Sequence, residues 1–218
     1  YEHFNVKRDV EVIPNFIDLA RYEGCSTEGV IKAFAPKGER ILFHASNFRP
    51  VKRVEDVLRV FAKVNAEIPC KLLLAGDGPE RPKIESLCRE LGACEDIHFL
   101  GKLKNIEEVY SVADAFLLTS ETESFGLAAL EAMASRVPVI STNTGGIPEI
   151  NVHGETGFLS NVGDVDDMAK NTLKLLKGKE LMAICKQGAY EKAKTFSKSN
   201  VIPTYEKMYE SVLNAQKA

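Results

Sequence analysis

The sequence predicts an α/β domain built on a doubly wound parallel sheet, and three observations carry that prediction. Short apolar runs of strand length recur along the chain, beginning with RILFHAS at 40–46. Segments with apolar residues at helical spacing separate them, which is the crossover that parallel strands require. At 218 residues and 44% apolar, the chain can bury one substantial core. Short apolar strands separated by helices imply a sheet covered on both faces.

After an irregular lead, Arg40–Ser46 reads as the first strand. Arg53–Ile68 follows as a helix, with Val54, Val57, Leu58, Phe61, Ala62 and Val64 on one stripe. Strand Lys71–Ala75 then precedes helix Pro79–Leu91, Ile97–Leu100 precedes Ile106–Val112, and Ala115–Thr119 precedes Phe125–Ala134. Val137–Ser141 and Gly157–Leu159 complete six strands. From Asp164 the pattern is helical, through a segment ending near Thr195 and a last stretch, Val201–Leu213, punctuated by Gly178 and Pro203. The expected organisation is a linker remnant over 1–20, a Rossmann-like domain over 21–196 and a C-terminal helix over 197–218. There is no solenoid repeat and no low-complexity tract.

Composition excludes several classes. No apolar run approaches the ~20 residues that span a bilayer. A net charge of −3 supplies no basic face for nucleic acid. Cys25, Cys70, Cys88, Cys94 and Cys185 show no C-x-x-C spacing, so reduced thiols in a cytoplasmic protein are expected, with Cys70 in the core. His44 and His98 are expected as satisfied core residues, and His153 in a turn. Tyr1 in place of Met, with no signal pattern behind it, reads as a cut through a longer protein.

In the strand order 3-2-1-4-5-6 the first and fourth strands are neighbours, and a crevice opens beyond their carboxyl ends. Two loops then face each other, Asn47–Arg53 and Ser120–Ser124. The cations Arg49, Lys52 and Arg53 confront a helix start whose amides lack partners, and both features select an anion. Ser124 is the expected N-cap, and Gly126 lets a ligand approach the backbone, so the Ser124–Leu127 amides suit a phosphate. Glu131 shares a helical face with Ser124 and Ala128 and leans back over those amides, where a carboxylate accepts ribose hydroxyls. Glu123 faces the same crevice from the loop. Phosphate between two hydroxyl-bearing ends describes a nucleotide-sugar. A lone N-terminal glutamate also serves as a helix-dipole partner, and a basic loop can be simply solvated. Glu131 resists that simpler account, because an ionised carboxylate in an apolar helix needs a partner.

ESFGLAALE at 123–131 is the E-x7-E motif, and the chain here resembles the retaining glycosyltransferases of family 4, which have the two-domain GT-B architecture. VIPNFID resembles their interdomain linker, GDGPE (76–80) the turn after strand two, FLGKL (99–103) the nucleobase-side loop, and GGIPEI and HGETGF the late signatures. NFID with SNFRPVKRVEDV and ESFGLAALEAMA is most similar to the branch that passes N-acetylglucosamine to L-malate in bacillithiol biosynthesis. The resemblance implies that Lys52 neutralises the donor pyrophosphate, Glu131 binds the ribose and Glu123 holds sugar hydroxyls. It places the Phe125, Gly126 and Leu127 amides at the distal phosphate or sugar, and Leu103 backbone atoms at the uracil. Many members carry arginine where this chain has Asn47, so either Arg49 substitutes or one cation is lost.

The resemblance also implies transfer with retention, through departure of UDP and an oxocarbenium-like sugar, with no cofactor and no metal. No Asp-x-Asp motif is present, and Asp166-Asp167 begins an amphipathic helix. The expected partners are a UDP-sugar and a small acceptor held on an N-terminal domain absent from this chain, with room for a homo-oligomer. The isolated chain is expected to bind donor and transfer little. The last helix, with Tyr205, Met208 and Tyr209, either crosses to that domain or packs on its own sheet. Other hexose donors, and a non-catalytic nucleotide-binding module, are the competing readings. A dehydrogenase is disfavoured, since no G-x-G-x-x-G follows the first strand.

Overall fold

The computed structural model describes residues 11–215 of the chain. Residues 1–10 of the expected linker and 216–218 of the expected last helix lie outside the described residues. Six parallel strands, β1 (Arg40–Ser46), β2 (Cys70–Gly76), β3 (Ile97–Gly101), β4 (Ala115–Leu118), β5 (Val139–Thr142) and β6 (Gly157–Ser160), form one sheet. Their order is β3-β2-β1-β4-β5-β6, so the α/β Rossmann-like prediction holds and β1 lies beside β4. Leu42 and Phe43 pair with Ala115 and Phe116.

Alternate side chains of these strands feed two cores. Phe43, Leu73, Phe116 and Leu118 enter one, closed by Ala129, Leu130 and Met133 of α5 (Leu127–Ala134). Leu42, Leu72, Leu74 and Leu117 enter the other, beneath Val57, Leu58 and Phe61 of α2 (Val54–Asn65) and Met168 and Leu175 of α7 (Val165–Lys177). Burying both faces explains why these strands read as continuous apolar runs.

α3 (Arg81–Glu90) and α4 (Ile106–Tyr110) follow β2 and β3, and α6 (Ile147–Ile150) is a single turn between β5 and β6. The lead before β1 is not wholly irregular. It holds a 3-10 turn, Leu19–Tyr22, and a seven-residue helix, α1 (Glu28–Phe34), that buries none of its residues fully. Too short and too exposed for a periodic stripe, α1 left no signal that sequence spacing could register. At the other end, Asp164 caps α7 by accepting the Asp167 amide at 3.0 Å, and Gly178 separates α7 from α8 (Lys179–Thr195). The last helix, α9, runs Lys198–Ala215 with Pro203 inside it rather than at its start. Beyond Val201 it leaves Ile202, Tyr209, Val212 and Leu213 exposed, while Tyr205 and Met208 are half-buried. Ile17, in the segment expected as a linker, bridges to Ser197 at the root of this helix.

The thiols and imidazoles need two corrections. Cys88 and Cys94 lie with Cα atoms 5.3 Å apart, within disulfide reach, so the expectation of separate thiols fails for that pair. Cys25, Cys70 and Cys185 are free. Cys70 is buried, and burial pushes its thiol up to about 12. His98 is not satisfied: its buried Nε2 has no partner among the described residues. His44 is satisfied, with Nδ1 2.8 Å from the Leu117 carbonyl and Nε2 2.8 Å from Ser46 Oγ. The carbonyl can only accept, so Nδ1 carries the proton and Ser46 donates to Nε2. Ser46 Oγ in turn accepts the Phe48 amide at 3.3 Å, which ties a buried imidazole to the loop after β1.

Burial lowers the His44 pKa from 6.5 to about 4, with the Leu117 contact opposing and the Lys52 charge assisting. The unfolded chain gains a proton near pH 6.5 that the folded chain refuses until about pH 4. Stability therefore falls as pH drops through that window, by about 2 kcal/mol between pH 7 and pH 5. His98, also lowered by burial, adds in the same direction. Urea unfolding at the two pH values measures the loss. It should shrink in His44→Gln, and an unchanged pH slope in that variant would contradict the assignment.

Candidate functional site

Because β1 and β4 are neighbours and parallel, the loops that leave them emerge side by side. The loop after β1 is a strained turn. Phe48 (φ 38°) and Arg53 (φ 47°) are both left-handed, and between them Pro50–Lys52 forms one turn of 3-10 helix. Left-handed backbone costs about 1–2 kcal/mol for a residue other than glycine. Three ties to the loop after β4 hold it: Thr119 Oγ1 donates to the Lys52 and Arg53 carbonyls at 2.9 and 3.0 Å, and the Glu121 amide donates to Val51 O at 2.8 Å. Buried Phe48 anchors the turn, leaving Asn47 and Arg49 exposed.

Glycines back both loops. A side chain on Gly76 would overlap the Ser46 carbonyl, and one on Gly145 would overlap the Glu123 carbonyl. The GDGPE and GGIPEI segments thus lie directly behind the two facing loops. Backbone bonds from Glu80 N to Phe48 O (3.0 Å) and from Gly146 N to Glu123 O (2.9 Å) fasten them there.

The structure brings Lys52 and Glu123 into contact, Nζ to Oε2 at 2.6 Å, with both side chains largely buried. Ser120 Oγ adds a second donor to the same oxygen at 3.2 Å. Arg49 forms no ion pair among the described residues and stands exposed beside this pair. Arg53 does not face the crevice: its guanidinium clasps buried Asp56 at 2.7 Å. Two cations therefore remain on this side, Arg49 and Lys52. The α-helix begins at Leu127 with Gly126 (φ 91°) as N-cap, and Ser124 makes no cap bond, because the chain turns sharply through Gly126 before it enters the helix. Phe125 sends its ring into the core, 5.5 Å from Phe196, so its backbone alone faces outward. The amides of Phe125, Gly126 and Leu127 make no hydrogen bond among the described residues, and Leu127 is half exposed. They are free to receive an anion.

Glu131 sits one turn into α5, half-buried, and accepts a hydrogen bond from Tyr110 Oη at 3.0 Å. Tyr110 and its neighbour Tyr22 were missed by sequence reasoning, since each reads as an ordinary core aromatic. Burial and the Glu131 charge push both phenols well above the usual tyrosine value. Leu103 lies exposed on the loop after the edge strand β3, at the same end of the sheet but away from the Lys52–Glu123 pair. A depression of about 660 Å³ lies at the opposite end of the sheet, around Arg40, Cys70, Lys71 and Asp96. Two of its cations are already paired, Arg40 with Asp114 and Lys71 with Asp96. Among the described residues no group of three or more His, Cys, Asp or Glu is gathered as a metal cluster would be, and no helix is long and apolar enough to cross a membrane.

The family described as glycosyl transferases group 1 matches residues 28–192. The chain belongs to that family. Among its curated relatives, N-acetyl-alpha-D-glucosaminyl L-malate synthase of Bacillus anthracis is 42% identical over the whole chain, which spans 58% of that protein. Sucrose-phosphate synthase from Thermosynechococcus elongatus superposes with a TM-score of 0.87 at 24% identity, over 98% of this chain and 55% of its own. The Anabaena protein HepE, solved with UDP and glucose, superposes with a TM-score of 0.83 at 22% identity, over 93% and 56%. These likenesses establish the fold as that of one domain of GT-B glycosyltransferases. The chain thus spans little more than half the length of these three glycosyl transferase relatives and neighbours.

The Lys52–Glu123 contact predicts energetic coupling between the two loops. Single alanine variants at either position, and the double variant, should reveal about 1–2 kcal/mol of coupling in urea unfolding. Strict additivity would mean that the contact holds nothing together.

Proposed function

We propose that this chain binds a UDP-sugar as the donor-binding part of a retaining glycosyltransferase of family 4. The reading rests most on one observation: Lys52 and exposed Arg49 confront the unpartnered amides of Phe125, Gly126 and Leu127, with Glu131 one turn behind them. A diphosphate meets two cations and a helix N-terminus there, and a ribose diol meets a carboxylate. Glu123, released from Lys52, holds sugar hydroxyls. Leu103 backbone groups meet the base, and Asn47 occupies the loop position beside the diphosphate.

The sugar in this reading is N-acetylglucosamine and the acceptor L-malate, in cytoplasmic bacillithiol biosynthesis. Support comes from the 42% identity to the Bacillus anthracis malate synthase across the whole chain. The Anabaena neighbour, solved with UDP and glucose, supports the nucleotide. The bond from the anomeric carbon to the phosphate oxygen breaks, UDP leaves with the electron pair, and the acceptor hydroxyl oxygen bonds to the same face of the sugar while passing its proton to the departing phosphate oxygen. Lys52, Arg49 and the helix amides stabilise the negative charge that grows on the departing diphosphate. The acceptor is held by residues outside this chain.

Calorimetric titration with UDP, ADP and GDP tests the reading. UDP should bind best, and Glu131→Ala should weaken it by about 1.5–3 kcal/mol, roughly tenfold to a hundredfold. Binding of none of the three, or binding indifferent to Glu131→Ala, would contradict it.

A further inference from the structure

Glu131 is held by a side chain that belongs to no ligand-facing loop. Tyr110 ends α4, on the connection between β3 and β4, and its side chain is fully buried. Its ring is clamped by aromatic contacts. Phe43 meets it edge-on with centroids 4.9 Å apart, Phe116 lies at 5.6 Å, and Tyr22 meets it edge-on at 6.2 Å. Such contacts leave the ring no alternative rotamer without opening the core. The hydroxyl lies 3.0 Å from Glu131 Oε2 and 3.0 Å from the Ala128 carbonyl. One proton serves two acceptors, and the ionised carboxylate attracts it more strongly than the neutral carbonyl does. Apart from the Tyr22 phenol, which stands beside the same carboxylate, no group engages Glu131 Oε1 among the described residues, so that oxygen faces a ligand.

We propose that Tyr110 is a positioning residue that fixes the Glu131 carboxylate by its Oε2, leaving Oε1 to accept the ribose hydroxyls of the nucleotide, and so sets selectivity for ribose over deoxyribose. The inference rests on the nucleotide-sugar reading above and adds to it the residue that makes the carboxylate rigid. A carboxylate free to rotate on the second turn of a helix would lose side-chain entropy on every binding event. One that is already fixed binds the diol without that cost. Burial of Tyr110 beside the carboxylate also keeps its phenol protonated, so the donor role persists over the whole working pH range.

Tyr110→Phe keeps every ring contact and removes only the hydroxyl. Its thermal midpoint reports whether the fold is intact, and titration with UDP and with 2′-deoxy-UDP reports the selectivity. The wild-type chain should prefer UDP. In Tyr110→Phe the UDP affinity should fall by about tenfold while 2′-deoxy-UDP changes little, so the preference collapses. In a Glu131→Ala background the same substitution should change neither affinity further. If Tyr110 only ties α4 to α5 through Ala128, both nucleotides weaken together and the preference survives, which overturns the proposal. A wild-type preference for UDP that persists in Tyr110→Phe overturns it as well, leaving the nucleotide reading intact. Failure of the wild-type chain to bind UDP removes that reading and the inference with it.

Discussion

Thr119 is a small buried residue directly after the central strand β4, and its hydroxyl supplies two of the three ties that set the geometry of the site. Its single proton is shared between the carbonyls of Lys52 and Arg53, the last residues of the strained turn after β1. Phe48 is held separately by its burial and by the Glu80 amide, but without the Thr119 bonds left-handed Arg53 would lose its main restraint and Lys52 its aim at Glu123. Sheet order makes the bonds available at all. Only when β1 lies beside β4 do their loops emerge within hydrogen-bond reach.

On the far side of the crevice a second set of constraints does the same for α5. The Gly145-Gly146 turn supports the Glu123 backbone, and Phe125 plugs into the core against Phe196. Tyr110 restrains Glu131 from behind. Lys52, Glu123 and Glu131 are therefore held in place by the fold, as expected of a preorganised site, while Arg49 stands exposed without an ion pair among the described residues. The Lys52–Glu123 pair has a double character in this account. It neutralises two partly buried charges, and a diphosphate with a sugar attached offers each of them a replacement of the right sign or polarity.

Much of this was legible before any coordinates. Strands buried on both faces write themselves as apolar runs, and the Rossmann order then brought Lys52 and Glu123 to one crevice. The family motif marked Glu131. What escaped depended on contacts distant in sequence. Arg53 stands next to Lys52 in the chain, yet Asp56 turns it away from the crevice. Ser124 has the composition of an N-cap, but the turn through Gly126 moves the helix start past it. Tyr110 reads as a core aromatic because its ring is one, and only the position of its hydroxyl marks it as more. α1 carries too few buried residues to imprint a period.

The central claim is that the loops after β1 and β4 receive a nucleotide diphosphate together. Titrating ¹⁵N-labelled chain with UDP and following each backbone amide tests it most directly. The account predicts that the amides of Phe125, Gly126 and Leu127 and of the Asn47–Arg53 loop shift in step, with one common affinity. Shifts confined to the opposite end of the sheet around Arg40 and Lys71, or to one loop without the other, would contradict it.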